Sequence, residues 1–261
     1  MNDNQKKCPL EVRILTVRRS PDYLSQTLAS LLLSRIDACP IPAIRLMLGS
    51  LDEEHLKNLK HHGDLLVDVM CESEWTKIQH WSVHRRLSYN FWRTLAVESA
   101  AEYGLCVCED DIVFTDGFVS KLLQAVEEIR RQQAPKFILA AYSPYDNARE
   151  PARKRGTFYC SYNASCHYGN CCLFISKDGL RGLADYVKRH AVENDEAPVD
   201  IILGRYAEAL WESKDGGMYQ TICSLAQHVG YVSGGTSGQY FCSPSFGREW
   251  PSGNQQPTSL G

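Results

Sequence analysis

Apolar residues follow two patterns along the chain, short continuous runs and longer stretches with helical spacing. The continuous runs predict buried strands, and they lie at residues 12–17, 43–48, 65–70, 105–108, 112–114, 137–142, 171–175 and 218–223. The remaining stretches predict helices that begin near Ser20–Pro21 and near Pro198, and that cover residues 53–62, 83–102, 117–133 and 178–190. Because strands and helices alternate, the pattern predicts an α/β fold with a mostly parallel central sheet.

Three of these helices carry apolar side chains on one face, which we expect to pack against the sheet. The predicted inward residues are Leu24, Leu28, Leu31 and Leu32 in the first helix, Val83, Leu87, Phe91 and Leu95 in the long helix, and Val119, Leu122, Leu123, Val126 and Ile129 after Gly117. The polar segment 143–168 predicts a long loop over one face. We expect one domain over residues 11–245, with flexible tails at residues 1–10 and 246–261.

Composition and charge exclude several classes of protein. The chain has 261 residues, of which 44% are hydrophobic and 23% charged, so it is long and apolar enough to bury a core. A formal net charge of -3 disfavours a nucleic-acid-binding protein, which usually carries a basic excess. No apolar run approaches the roughly 20 residues that span a bilayer, and no signal-type stretch follows the N-terminus. We therefore expect a cytoplasmic protein.

The 11 cysteines cannot all pair in disulfides, because their number is odd. Two pairs, Cys106 with Cys108 and Cys171 with Cys172, lie in apolar strands, where a free thiol acts as a small hydrophobic group. We expect most cysteines to be reduced and buried. A zinc site is an alternative for one cluster, but its spacing lacks paired C-x2-C knuckles. That cluster comprises Cys160, Cys166, His167, Cys171 and Cys172.

The strongest chemical signal is three consecutive acids, Glu109, Asp110 and Asp111, between two apolar strands. Adjacent carboxylates repel one another and resist burial unless a cation or several donors accompany them. In an extended backbone Glu109 and Asp111 point to one side and Asp110 to the other. Because ligands of open α/β sheets bind at the carboxyl ends of strands, these acids predict a divalent-cation site there. A solvated turn without function is the alternative.

Other polar residues become functional candidates only in combination with this predicted cation site. Asp200 near a helix start is equally consistent with helix-dipole compensation, and an isolated His228 with a structural histidine. Arg86 and Asn90 lie one turn apart on the long helix, a spacing that suits an anionic ligand, although such residues are common on exposed helices. Further candidates are Thr16 and Arg18, after the first strand, and the glycine-rich loop at 234–238. The chain lacks G-x-G-x-x-G, Walker A and G-x-S-x-G motifs.

Taken in order, four segments resemble glycosyltransferases with the GT-A fold. They are residues 14–18 with 23–28, residues 86–90 with the helix that follows, residues 109–112, and residues 198–200 with 227–230. Within that fold the sequence is most similar to the N-acetylglucosaminyltransferase IV family, and more loosely to the transferase that adds N-acetylgalactosamine to GPI anchors. A fainter similarity to lipopolysaccharide-type transferases leaves galactose donors open. The resemblance implies a Rossmann-like, three-layer α/β/α structure.

The resemblance also implies roles for individual residues. Asp111 would bind Mn²⁺ or Mg²⁺, with His228 beside the metal and the pyrophosphate, while Asp200 would be the catalytic base. The remaining matches would bind the nucleotide sugar, and they are Thr16, Arg18, Arg86, Asn90, Glu109 and Asp110. The implied reaction moves a sugar, N-acetylglucosamine in that family, from a UDP-sugar to the hydroxyl of a glycan, lipid or small-molecule acceptor, with inversion.

Two other classes of function stay open at this point. The chain could be a glycan- or nucleotide-binding module without turnover, although binding alone requires no catalytic base. It could instead be a nucleotidyltransferase or phosphatase with a carboxylate-bound metal. No nucleic-acid partner is expected from the charge.

Overall fold

A computed structural model describes residues 9–17, 22–34, 42–49, 65–132, 135–144, 149–167, 169, 171–230 and 243–251. Several predicted features lie outside these ranges. They are Arg18, the Ser20–Pro21 helix start, the helix at 53–62, the glycine-rich loop at 234–238, and most of both predicted tails.

The described strands form one mixed sheet and one short ribbon. The sheet has eight strands, which are β1 (Leu10–Thr16), β2 (Ala43–Leu48), β3 (Leu66–Val69), β4 (Gly104–Glu109), β6 (Lys136–Ala140), β7 (Tyr159–Ser161), β8 (Cys172–Ser176) and β9 (Gly216–Thr221). Their spatial order is β3-β2-β1-β4-β8-β6-β9-β7, and only β8 and β7 run antiparallel to their neighbours. The ribbon pairs β5 (Ile112–Phe114) with β10 (Ala226–His228) in antiparallel fashion.

Helices cover both faces of the sheet. The described α-helices are α1 (Leu24–Leu33), α2 (Glu72–Ile78), α3 (Val83–Ala96), α4 (Phe118–Arg131), α5 (Arg149–Lys154), α6 (Lys177–Val187) and α7 (Val199–Glu212). The side chains of strand β4 alternate between these two faces. Cys106 and Cys108 pack in a core cluster with α1 and α4, whereas Leu105 and Val107 pack in a second cluster with α3, α6 and α7. The predicted α/β class, with three layers and a mostly parallel central sheet, is confirmed.

The order of the strands defines where a ligand site is expected. From β1 the chain moves outward to β2 and β3, and then crosses back to β4 on the other side of β1. A change of winding direction of this kind opens a crevice at the carboxyl ends of the two central strands, because their connections leave in opposite directions. Here those ends are Thr16 and Glu109, so the acidic triplet follows one of the two strands that border the crevice.

The long helix ends earlier than predicted. Helix α3 stops at Ala96, not near residue 102, because the buried Arg13 of β1 binds the carbonyl groups at its end. The Arg13 guanidinium donates to the carbonyl oxygens of Thr94, Val97 (2.8 Å) and Glu98 (3.1 Å). Carbonyl groups at the end of a helix lack intrahelical partners, and here the Arg13 guanidinium donates the hydrogen bonds that they would otherwise lack. A charged strand residue thus fixes a helix boundary that helical spacing cannot reveal.

Some predicted inward residues face outward. Leu32, Val83 and Leu87 are exposed, and Leu123 is only partly buried. In α3 the buried face also includes polar side chains, namely those of Ser88, Asn90, Arg93 and Thr94. The prediction for α3 is therefore confirmed at Phe91 and Leu95 and wrong at Val83 and Leu87. Helix α3 packs through hydrogen bonds of Asn90 and Arg93 as well as through apolar contacts.

The segment predicted as a long loop contains regular structure. Helix α5 and strand β7 lie within residues 143–168, and β7 extends the sheet by pairing with β9. The fully buried Arg149 at the start of α5 explains why this polar segment folds: its guanidinium donates to the Thr221 carbonyl (3.0 Å) and to Ser224 Oγ (3.2 Å). Among the described residues, no helix is both long and apolar enough to cross a membrane.

Candidate functional site

The acidic triplet lies at the carboxyl end of β4, and its members reach different partners. Asp110 is buried and faces the end of β1, where Thr16 Oγ1 donates to its Oδ2 at 2.7 Å and the Val17 amide donates at 3.2 Å. Asp110 therefore joins the ends of the two strands that border the crevice. The neighbouring acids Glu109 and Asp111 contact other groups.

Helix α1 braces the turn that carries the acids. Thr27 is fully buried, and its Oγ1 lies 2.7 Å from the carbonyl oxygens of both Asp110 and Ile112 while it accepts from the Ile112 amide at 3.2 Å. One turn later Ser30 Oγ accepts from the Phe114 amide at 3.2 Å. These contacts fix the backbone between β4 and β5, and so fix the directions of the carboxylates.

Asp111 and His228 form a direct pair. The ribbon brings them together, because His228 of β10 lies opposite Ile112 of β5 and the Val229 amide donates to the Asp111 carbonyl at 2.8 Å. The two side chains meet at 3.1 Å between His228 Nε2 and Asp111 Oδ2. Gly230 makes room for the carboxylate, because a Cβ atom on Gly230 would lie 2.2 Å from Asp111 Oδ2.

Glu109 has a neighbour that sequence reasoning did not assign to the site. The β4–β8 register continues past the Cys108–Cys172 pair, so Glu109 lies opposite Cys171, and its amide donates to the Cys171 carbonyl at 3.1 Å. One ligand atom each of Glu109, Cys171 and His228 lies within 4.8 Å of the others. Burial, the charges of Glu109 and Asp111, and a hydrogen bond with Glu109 raise the pKa of the Cys171 thiol well above its ordinary value.

Asp200 lies in the first turn of α7 and approaches the same edge of the sheet. Its Oδ1 accepts from the Ile201 amide at 2.9 Å, and its Oδ2 accepts from the Gly169 amide at 3.4 Å. Gly169 precedes Cys171 by two residues, so chain geometry puts the Asp200 carboxylate no more than about 12 Å from the Cys171 backbone. The two amide donors orient the carboxylate, which is partly exposed.

The two predicted ligands on α3 have different surroundings. Asn90 is buried, and its Nδ2 donates to the carbonyl of Gly49, just past the carboxyl end of β2. Its Oδ1 is buried without a hydrogen-bond partner among the described residues. Arg86 instead donates to the Gln79 carbonyl at 2.9 Å. Asn90 thus lies at the carboxyl edge of the sheet, whereas the described contact of Arg86 is with the segment that precedes its helix.

Arg93 was not recognised from the sequence, although it also binds this edge of the sheet. Its guanidinium donates to the Leu48 carbonyl at 3.1 Å and pairs with Asp68, and it lies 3.6 Å from Glu74. Spacing alone offered a signal, because Arg86, Asn90 and Arg93 share one helix face. These partners give Arg93 a role in joining α3 to β2 and β3.

The chemistry of this cluster fits a divalent cation. Asp110 and Asp111 are 1% and 3% exposed, and carboxylates so deeply buried need donors or positive charge nearby. Carboxylate oxygens are the ligands that Mn²⁺ and Mg²⁺ prefer, and imidazole is a common ligand of divalent transition-metal ions. The space that Gly230 leaves lets Asp111 lie against the backbone in a fixed position. Asp111 and His228, which are in contact, and Glu109, whose ligand atom lies within 4.8 Å of the same imidazole, are therefore candidates to hold a metal ion here.

The alternative zinc cluster, which the cysteine spacing disfavours, does not assemble among the described residues. Cys160 and Cys171 lie on different parts of the sheet, and the groups able to hold a metal are Glu109 with Cys171 and His228, and the buried trio Cys106, Cys108 and Cys172. The expectation that most cysteines are buried is confirmed for the cysteine side chains that the structure describes, of which only Cys71 is exposed.

A separate cavity of about 470 Å³ lies at the opposite edge of the sheet. Its lining includes Tyr103, Arg130 and Lys177, close to the amino ends of β4 and β6. Parallel strands present few ligand contacts at this edge, and the acidic triplet is at the other end of β4. We therefore do not place the functional site in this cavity.

Comparisons by sequence find no match, neither with a protein-family model nor with a curated protein. Among solved structures with a similar fold is galactosyltransferase LgtC in complex with donor and acceptor sugar analogs, with a TM-score of 0.46 and 10% sequence identity. The similarity covers 75% of this chain and 70% of that one. Nothing in these comparisons supports the narrower likeness to the N-acetylglucosaminyltransferase IV family.

Proposed function

We propose that this protein is a metal-dependent glycosyltransferase of the GT-A type, which moves a sugar from a UDP-sugar to an acceptor hydroxyl. The observation that carries the proposal is the distribution of the three acids at the strand switch point. Asp110 binds the end of β1, Asp111 pairs with His228, and Glu109 lies beside the same imidazole. A donor diphosphate, its metal ion and its sugar need three adjacent polar sites of this kind.

The donor binds along the carboxyl edge of the sheet in this proposal. Asp111 and His228 hold Mn²⁺ or Mg²⁺, which supplies Lewis-acid neutralisation of the charge on the departing diphosphate. Glu109 and Asp110 contact the nucleotide sugar. The nucleotide pocket is completed by Thr16, Arg18, Arg86 and Asn90. The unpaired Asn90 Oδ1 is suited to accept a hydrogen bond from the nucleotide.

Asp200 is the general base of the proposed reaction. The amides of Ile201 and Gly169 hold its carboxylate in one orientation, from which it removes the proton of the acceptor hydroxyl as that oxygen attacks the anomeric carbon. Attack from the face opposite the diphosphate inverts the anomeric centre. The resemblance of the site residues favours N-acetylglucosamine as the sugar, and a glycan, lipid or small molecule as the acceptor.

Thermal unfolding with Mn²⁺ and a panel of nucleotides tests donor binding. We expect UDP and UDP-sugars to raise the Tm only when Mn²⁺ is present, because the ion bridges protein and diphosphate. Asp111→Asn should abolish this shift, whereas Asp200→Asn should keep it. A shift with nucleoside triphosphates but not with UDP would favour a nucleotidyltransferase, and no shift with any nucleotide would contradict the proposal.

Release of UDP from UDP-N-acetylglucosamine then tests turnover, first with water and then with a panel of sugar acceptors. A carboxylate base typically contributes about 10² to 10⁴ in rate, so Asp200→Asn should lower UDP release by that factor while donor binding persists. Equal rates for wild type and Asp200→Asn would exclude Asp200 as the base. Donor binding without any release would identify a binding module.

A further inference from the structure

Cys171 has no task in the proposed transfer, yet its thiol lies among the residues assigned to the metal. Ligand atoms of Glu109, Cys171 and His228 come within 4.8 Å of one another. Zinc bonds of about 2.0 to 2.3 Å put two ligands of one ion at most about 4.5 Å apart. Small side-chain shifts therefore bring all three atoms to one ion.

The backbone holds these three groups together from three separate elements. Glu109 and Cys171 are opposed across the β4–β8 register, where the Glu109 amide bonds the Cys171 carbonyl, and directly opposed side chains in an antiparallel pair are neighbours. His228 is held by the β5–β10 ribbon. The Asp111 carboxylate, 3.1 Å from His228 Nε2, orients the imidazole as an outer-shell partner does in metal sites.

The donor types determine which ion such a site prefers. Mg²⁺ and Mn²⁺ favour oxygen ligands, whereas a thiolate and an imidazole favour Zn²⁺ and Co²⁺. Three protein ligands with a fourth position open is the arrangement of a zinc ion that also binds an exogenous group. A bound ion displaces the thiol proton to solvent, since a coordinating thiol is deprotonated.

We propose that Glu109, Cys171 and His228 form a carboxylate–thiolate–imidazole site that takes Zn²⁺ or Co²⁺ more tightly than Mn²⁺ or Mg²⁺. The inference rests on the proposed function for the biological meaning of the site, because zinc there competes with the ion that serves transfer. The metal-binding chemistry itself follows from the three side chains.

The buried thiols Cys106, Cys108 and Cys172 are the alternative location for a soft ion, and they provide the matched control. Cys106 Sγ lies 4.0 Å from Cys108 Sγ on β4 and 3.8 Å from Cys172 Sγ on β8. Cys172 is adjacent to Cys171 and is also buried. Replacing each cysteine by serine in turn therefore separates the two locations with the same chemical change.

Cobalt spectroscopy of the full chain, freed of metal by a chelator, tests the proposal. We expect Co²⁺ to give a near-ultraviolet thiolate charge-transfer band in wild type and in Cys172→Ser, and no band in Cys171→Ser. Zn²⁺ should abolish the band, and excess Mg²⁺ should not. Zn²⁺ affinity of Cys171→Ser should fall at least about 10-fold, the lower limit even for outer-shell changes, with Mn²⁺ affinity unchanged.

Three spectroscopic outcomes would contradict the proposed metal site. Absence of a band in wild type, its persistence in Cys171→Ser, or its loss in Cys172→Ser alone would overturn the assignment. Circular dichroism checks that each variant folds, and if Cys171→Ser does not, His228→Gln must weaken Co²⁺ binding instead. Failure of UDP-sugar turnover leaves the spectroscopic result intact, so the two proposals fail separately.

Discussion

Gly230 determines how closely Asp111 can lie against the backbone of the ribbon. A Cβ atom there would sit 2.2 Å from Asp111 Oδ2 and 2.8 Å from its Cγ, so alanine forces the carboxylate away from its position beside His228. The Gly230 backbone is not in the left-handed region, so alanine adds no backbone strain. The substitution therefore acts on the site more than on the fold.

We predict that Gly230→Ala weakens Mn²⁺ binding by about 10 to 100-fold, the range for changes that disturb the orientation of metal ligands. Isothermal titration calorimetry measures the effect. A double-mutant cycle with Asp111→Ala is the control, because residues that act through one contact are not additive. If Gly230→Ala weakens binding equally in the presence and absence of the Asp111 carboxylate, the steric explanation is wrong.

Single residues also show what the sequence can and cannot reveal about the site. The acidic triplet could be predicted because consecutive carboxylates between apolar strands are visible along the chain. Cys171 could not, since its place beside Glu109 depends on β8 running antiparallel to β4, and an apolar run does not report its direction. The role of Arg13 could not be predicted either, because its helix partners lie far along the chain.

Among the elements, helix α1 stabilises the turn between β4 and β5 through side-chain hydrogen bonds. Thr27 does this through one hydroxyl, which serves the Asp110 and Ile112 carbonyls and the Ile112 amide. We predict that Thr27→Val, which keeps the shape but removes the hydroxyl, lowers the free energy of unfolding by about 1 to 3 kcal/mol, because buried backbone groups lose their partner.

The same substitution should also weaken Mn²⁺ binding, since the turn carries Asp110 and Asp111. Thr27→Ser retains the hydroxyl and is the matched control, so it should restore most of the metal affinity. Urea unfolding and calorimetric titration measure the two quantities. Equal Mn²⁺ affinity in wild type and Thr27→Val would mean that the turn keeps its shape without the Thr27 hydroxyl.

Some of the elements that the sequence did not predict depend on distant partners. Strand β10 has three residues, too few to show alternation, and it exists because it pairs with β5. Strand β7 is equally short and depends on β9. In contrast β2 was predicted at its observed bounds, because a six-residue, mostly apolar run indicates a buried strand whichever strands it pairs with.

At the scale of the whole molecule, buried charge joins the central strands to helix α3 on one face of the sheet. Glu11 on β1 accepts from Arg13 Nε at 2.8 Å, from Arg45 Nε of β2 at 3.1 Å and from Ser99 Oγ at 2.7 Å. Arg13 in turn binds the end of α3. Two strands, a helix and the segment before β4 therefore share one charged network close to the amino ends of the central strands.

This network makes stability depend on pH. Burial raises the pKa of Glu11, but hydrogen bonds from Arg13 and Ser99 and the charge of Arg13 outweigh that effect, and the pKa lies below its ordinary value of 4.5. A lowered folded-state pKa contributes stability above the unfolded-state pKa, and this contribution is lost as the pH falls through the folded-state value. The contribution is therefore complete at neutral pH.

We predict that Glu11→Gln lowers the free energy of unfolding at pH 7 by about 1.5 to 3 kcal/mol, the range for hydrogen bonds to charged groups. The difference from wild type should shrink below pH 4.5, because protonation then neutralises the wild-type carboxyl as well. Urea unfolding at several pH values measures it. The exposed Glu98→Gln is the control and should change stability by less than about 0.5 kcal/mol. A difference that stays constant down to pH 3 would show that Glu11 acts through its shape and not through its charge.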